Sequence, residues 1–233
     1  MEAIKRFVKK LVYKEKADSD TYVRYLRKIG CKIGSDVTVY VPTKTLIDIT
    51  RPFLIDIGDH VRITEGVTIL THGYDWSVLK GKYGDVLGSS GAVTIGNNVF
   101  IGMHSTILKS THIGNNVIIG ANSLVTKDIP DDVVAAGNPC KVIMTIEEYH
   151  QKRINAQLSE AKELVEKYRE RYGKEPGINE LREFFWLFEN DYDKLHKEWK
   201  SVIRLGDNEV ITKKVLKENQ PLFNGIHDFL SHV

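Results

Sequence analysis

The sequence has only two cysteines, Cys31 and Cys140, in 233 residues. They cannot build a disulfide scaffold, and one pair at most is the usage of a reducing compartment such as the cytoplasm. No uncharged run reaches ~18 residues, the least that reads as a membrane-spanning helix. Lys and Arg are scattered through Met1–Tyr13, where a signal peptide keeps a clean apolar segment. A dominant sign of charge is missing too: 33 Lys and Arg against 31 Asp and Glu leave +2. That argues against wholesale nucleic-acid binding and leaves any anion to a local patch. Disorder is excluded by 42% apolar and 27% charged residues. At ~150 residues per domain, the length suits one domain with a large appendage or two small domains. A core of that size needs neither disulfide nor structural metal.

The middle of the chain repeats. Ile95, Ile101, Ile107, Ile113, Ile119 and Val125 follow one another at intervals of six. Four residues after each comes a small or β-branched residue: Val99, Ser105, Thr111, Val117, Ser123 and Ile129. "IGNNV" occurs at Ile95–Val99 and again at Ile113–Val117. Six is not a helical period, and β-branched residues favour strands. Each unit reads as a short strand and a turn, its leading aliphatic side chain pointing inward onto its equivalents in neighbouring coils. Gly96-Asn97-Asn98 and Gly114-Asn115-Asn116 supply the positive φ that such turns demand. The phase extends back through Ile69, Ile63 and Ile57 to Val39 and Ile33. It breaks between Lys44 and Phe53, where Arg51-Pro52 suggests a looped-out turn. A larger break, the excursion 74–92, is rich in glycine and holds Trp76 and Tyr83. Long loops inside compact domains are usually functional.

The flanks read as helices. Ile4, Phe7, Val8, Leu11 and Val12 share a face beside Lys5, Arg6, Lys9 and Lys10. Ser19 is placed to cap a second helix over Asp20–Ile29. Glu147–Tyr172 is a long charged helix stopped by Gly173 and Pro176. Asn179 can cap another carrying Phe184, Phe185, Trp186 and Phe188, a stripe suited to core or oligomer packing more than to sugar stacking. The expected divisions are a helical segment 1–30, a solenoid 31–145 and a helical extension 146–233. The helices would first of all cover the open strand edges at the ends of the solenoid.

Ile95–Ile143, and most specifically "VTKDIP" followed by "AAGNPCKVI", resembles the hexapeptide-repeat acyltransferases of the maltose/galactoside O-acetyltransferase group. With "LTHGYDWSVLKG" in the excursion and the helical tail, it is similar to the branch associated with cell-surface polysaccharide synthesis. The resemblance implies a mainly β fold, a left-handed parallel β-helix. It also implies a homotrimer that holds acetyl-coenzyme A in the groove between adjacent solenoids, a saccharide acceptor, and no catalytic metal.

Acetyl transfer to a hydroxyl needs a base, donors for the developing oxyanion, and a groove for the anionic coenzyme. Histidine is the natural base. His72 ends the coil led by Ile69, on a rigid rung beside the excursion, and it matches the family's catalytic-histidine segment. By position alone it also suits a solvent-facing turn. Asp75 could orient the imidazole or bind the acceptor. Trp76 is a further acceptor-side candidate, and Glu65 and Asp48 are weaker ones that read as surface residues. His104 reads as surface, His60 and His112 as turn residues, and His150, His196, His227 and His232 lie outside the solenoid. The resemblance puts the oxyanion donor at Met103, whose side chain has no hydrogen to give, so only its backbone N–H serves. It puts the coenzyme at Met103, Ala121, Thr126, Lys127 and Lys141, the lysines facing phosphates. The plain alternative for either lysine is a solvated charge. Cys140 reads as packing. The basic N-terminal face, with Lys14 and Lys16, could touch anionic lipid, but a solvated helix face is the simpler reading.

Three other functions compete. A non-enzymatic scaffold or glycan-binding module would need neither His72 nor the excursion. An N-acetyltransferase of an amino sugar would use the same base. A zinc carbonic anhydrase would need three converging histidines.

Overall fold

The structure is a computed structural model that describes Lys9, residues 11–206 and residues 208–233. It divides into two compact units, Met1–Tyr149 and His150–Val233.

In the first unit the chain visits three parallel sheets in strict rotation. The first face stacks Lys32–Ile33, Ile55–Ile57, Val93–Ile95 and Thr111–Ile113. The second stacks Thr38–Val39, Arg62–Ile63, Val99–Ile101, Val117–Ile119 and Val133–Ala136. The third stacks Leu46–Ile47, Thr68–Ile69, Thr106–Ile107 and Leu124–Val125. Ile95 pairs with Ile113, Ile101 with Ile119 and Ile107 with Val125. In these repeats each leading residue therefore lies beside the one three repeats further on, and the six-residue period is one side of a three-sided coil. All six leading residues from Ile95 to Val125 are at most 2% exposed. Burying each aliphatic side chain contributes ~1.5–3 kcal/mol, so the ladder is the main source of stability in this unit. The second repeat position is buried as well, including Ser105, Thr111 and Ser123. Those hydroxyls donate to Gly120 and Leu108 carbonyl oxygens, which makes their burial tolerable.

Several expectations are corrected by the structure. The positive φ at the "IGNNV" turns belongs to the second asparagine, +54° at both Asn98 and Asn116. Gly96 is required for close approach instead: a Cβ there would lie 2.7 Å from the Gly114 carbonyl oxygen. The asparagines also bond from coil to coil, Asn97 Nδ2 donating to Asn115 Oδ1 at 3.1 Å and Asn98 Nδ2 to Asn116 Oδ1 at 2.9 Å. The turn expected at Arg51-Pro52 is present, but the 44–53 break does not interrupt the coil. Leu46–Ile47 keeps its place on the third face, and 3₁₀ turns at Pro42–Lys44 and Pro52–Leu54 widen the corners on either side. His112 lies within a strand, exposed, and not on a turn.

Ser19–Ile29 is a helix capped by Asp18, whose carboxylate accepts from Thr21 N at 2.8 Å; Ser19, expected to be the cap, accepts from Val39 N instead. Tyr22, Val23 and Leu26 of this helix join the aliphatic core. After Val133–Ala136 the chain doubles back as Lys141–Thr145, an antiparallel strand on the second face. Of the basic N-terminal set, Lys5, Arg6 and Lys10 lie outside the described residues, as do Ile4, Phe7 and Val8. Lys16 is engaged, donating to Thr45 O at 2.8 Å and lying 5.2 Å from the Tyr22 ring centroid. No helix among the described residues is long and apolar enough to cross a membrane.

The long helix runs Ile146–Tyr172, ending at Gly173 in the left-handed region at φ +62°. The second unit builds a separate core from Ala161, Val165, Leu181, Phe185, Leu187, Phe188, Trp199 and Phe229 among others. The aromatic stripe lies on turns and a 3₁₀ segment, Phe185–Leu187, and not on the expected α-helix after Asn179. Phe185 stacks on Trp199 at 5.9 Å and Phe188 meets Phe229 at 5.1 Å, so this stripe is core.

Candidate active site

His72 begins a two-residue strand that leaves the third face and pairs antiparallel with Ser89–Ser90. That ribbon closes the neck of the excursion, helped by Gly91 N donating to Thr71 O at 2.9 Å. Between the two strands the chain forms the helix Trp76–Tyr83, none of whose residues is buried.

The His72 Nδ1 lies 2.6 Å from Asp48 Oδ2, with the two side chains 15% and 4% exposed. Asp48 was expected at the surface; it is buried because Leu46–Ile47 pairs in register with Thr68–Ile69, which sets Asp48 beside Thr71. Its Oδ2 also accepts from Thr71 N at 3.1 Å and Thr71 Oγ1 at 2.5 Å. Its Oδ1 accepts from Thr50 N at 3.0 Å and Thr50 Oγ1 at 2.7 Å. Burial works against the charge of this carboxylate, but the hydrogen bonds from Thr71, Thr50 and His72 outweigh it. The carboxyl is held well below its ordinary range. An ionised carboxylate only accepts, so the shared hydrogen sits on His72 Nδ1. The arrangement is a histidine oriented by a buried acid.

The other candidates fall on two edges of the coil. Thr126 and Lys127, both exposed, follow Leu124–Val125 at the corner between the third and first faces, the corner His72 occupies nearer the start of the stack. Met103, 44% exposed, and exposed Ala121 stand at the corner between the second and third faces, where Asn122 N donates to Met103 O at 2.8 Å. Lys141 pairs with Ala136, whose Cβ packs over Gly120, and so shares that second corner. Glu65 lies there too, bound to Lys44 at 2.5 Å and accepting His104 N on its carbonyl at 2.9 Å. Adjacent corners are one side of the coil apart, roughly 15 Å of extended chain. Within one chain the structure therefore keeps His72 apart from Met103, Ala121, Lys141 and Glu65. Asp75 is exposed and does not bond to His72; the orienting role considered for it is filled by Asp48. Trp76 is half-buried.

Sequence reasoning missed Asp48 as the partner, together with Thr50, Thr71 and Tyr74. Tyr74 packs against the His72 ring at 5.2 Å between centroids, planes 69° apart. The usable signal was the equivalence of Ile47 and Ile69, hidden by the widened corners. His60 is engaged elsewhere, 3.0 Å from Asp36. Among the described residues no group of three or more His, Cys, Asp or Glu is placed to hold a metal ion.

The family model described as bacterial transferase hexapeptide (six repeats) matches residues 92–127. A Staphylococcus aureus protein named CapG is 46% identical over 127 residues, 54% of this chain and 73% of that one. The chain belongs to the hexapeptide-repeat transferase family. As a hexapeptide-repeat transferase it is an enzyme, and the residues matched are those of the aliphatic ladder. Galactoside O-acetyltransferase of Escherichia coli is 44% identical over 100 residues, covering 43% of this transferase and 48% of that protein. Among solved structures, a galactoside acetyltransferase in complex with coenzyme A matches with a TM-score of 0.42 at 29% identity, covering 62% of this transferase and 82% of that chain.

Proposed function

We propose that the protein is an acetyl-coenzyme A-dependent O-acetyltransferase of a saccharide hydroxyl, built on a left-handed β-helix and acting in the cytoplasm. The observation that carries this reading is the Asp48–His72 pair, which frees His72 Nε2 to take a proton. The acceptor hydroxyl gives its proton to Nε2 as its oxygen attacks the thioester carbonyl carbon. The tetrahedral oxyanion that forms is held by the Met103 backbone N–H. This N–H has no hydrogen-bond partner among the described residues. Collapse breaks the carbon–sulfur bond, and the proton on His72 goes to the departing thiolate. The products are the acetyl ester and coenzyme A.

The separation of His72 from Met103 and Ala121 supports a homotrimer. In it the His72 edge of one copy faces the Met103 edge of the next, and the coenzyme lies between. Ala121 and Thr126 would line the pantetheine arm, Lys127 and Lys141 the phosphates, and Asp75, Trp76 and Glu65 the acceptor side. The names of the relatives support acetyl as the acyl group and sugars as acceptors. No observation favours the scaffold, N-acetyl or zinc readings.

Calorimetry with coenzyme A and acetyl-coenzyme A on the wild type and on a Lys127→Ala, Lys141→Ala double variant tests the reading. We expect saturable binding that weakens about tenfold or more in the variant, the scale of losing charge-assisted bonds to phosphate. A folded protein that binds neither form of the coenzyme overturns it.

A further inference from the structure

The excursion places an exposed tyrosine directly against the base. Tyr74 is 69% exposed, yet its ring is held edge-to-face on His72 at 5.2 Å and meets Trp76 at 6.1 Å with a 40° tilt. The two aromatic rings make a pair beside the His72 imidazole, its Tyr74 member exposed. Asp75 lies between them in sequence, with its Oδ1 only 2.4 Å from where a Cβ on Gly73 would stand. That carboxylate folds back over the ribbon at Gly73. The Asp75 side chain makes no helix-capping bond and no hydrogen bond among the described residues, so it is free to accept one. The feature fixing this group is the Gly73–Ser89 and His72–Ser90 pairing, which stops the segment from swinging away from the coil.

An exposed aromatic ring held in place offers a flat apolar face at little cost in ordering. The side chain has few rotatable bonds, and here the neighbouring rings restrict it already. A pyranose fits such a face, since one side of the ring presents a contiguous set of C–H groups while its hydroxyls project from the rim. An open-chain alcohol presents no such face. Resting on the acetyltransferase reading above, we propose that Tyr74 is a specificity-determining residue. Its ring carries the C–H face of a cyclic saccharide, Asp75 accepts from a rim hydroxyl, and a neighbouring hydroxyl is thereby delivered to His72 Nε2. The acceptors are ring sugars, not acyclic alcohols.

The test is steady-state acetyl transfer by the 233-residue protein to methyl pyranosides of the galacto, gluco and manno series, and to sorbitol as the open-chain control. Wild type, Tyr74→Phe and Tyr74→Ala are compared. We expect transfer to at least one pyranoside in clear preference to sorbitol. Tyr74→Ala should raise KM for that pyranoside about tenfold or more, the usual scale for one lost pocket contact. The kcat should change less than threefold, and Tyr74→Phe should behave as wild type. A fall in kcat at unchanged KM, with the same loss on sorbitol, would mean that Tyr74 only positions His72 and overturns the proposal. Equal or better use of sorbitol, or transfer to no pyranoside, overturns it as well. Coenzyme A calorimetry on the same samples separates the two failures: intact coenzyme binding with no ring preference sinks this inference alone, whereas loss of coenzyme binding in the wild type sinks the acetyltransferase reading.

Discussion

The two units of the chain solve the same burial problem with opposite means. From Ile33 to Val125 the core is built mostly of isoleucine and valine recurring on every side of the coil, each shielded by its equivalents in neighbouring coils. From Ala161 to Phe229 the core is assembled from few, large and irregularly spaced side chains, with Phe185, Phe188, Trp199 and Phe229 in mutual ring contact. Repetition makes each position interchangeable in kind and spreads stability along the stack. The aromatic core concentrates it, so single residues count for more. The candidate site follows the same division: the ladder supplies a rigid frame, and the Asp48–His72 pair occurs where that frame is interrupted by the widened corners and the excursion.

Predictions can be ordered by how hard each strikes this contrast. Asp48→Asn should have the largest effect, lowering turnover ~10²–10⁴-fold, because an amide no longer fixes the imidazole tautomer or stabilises its charged form. Coenzyme affinity should be unchanged by calorimetry. The low Asp48 pKa adds a sign. Its stabilising contribution is complete above the unfolded value of about 3.9 and is lost only as pH falls below that, toward the folded value. Acid unfolding of Asp48→Asn should therefore lose a component between about pH 4 and lower pH that the wild type shows.

Phe185→Ala comes next, at a cost of ~3–5 kcal/mol, and hydrogen exchange should show the lost protection within His150–Val233. Ile113→Ala should cost ~2–5 kcal/mol and loosen amides on the coils around it, while Ile113→Val should cost only ~0.5–1.5 kcal/mol. If Phe185→Ala loosened the coils as much as its own unit, the contrast between a distributed and a concentrated core would fail.

The same contrast governs which features are legible in the amino-acid sequence. A column of Ile95, Ile101 and Ile107 announces itself because position and chemistry recur together, and three such steps close one coil. Phe184–Phe188 recurs with nothing, and its helical reading fails because tertiary packing onto Trp199 and Phe229 overrides local periodicity there. His72 is singled out by its place at the end of a rung only together with the family resemblance of its segment. Asp48 is not: burial of a carboxylate depends on donors from Thr50 and Thr71, and nothing in a linear pattern counts those donors. The turn chemistry is half legible, since the asparagine pairs mark the corners and supply the positive φ, while the glycines serve close approach instead.

The central claim is that His72, set by Asp48, is the general base. Its most direct test is the single-turnover rate of acetyl transfer by His72→Ala with acetyl-coenzyme A bound. The account predicts a fall of ~10²–10⁴-fold with coenzyme affinity and fold preserved. A rate within threefold of wild type would contradict it.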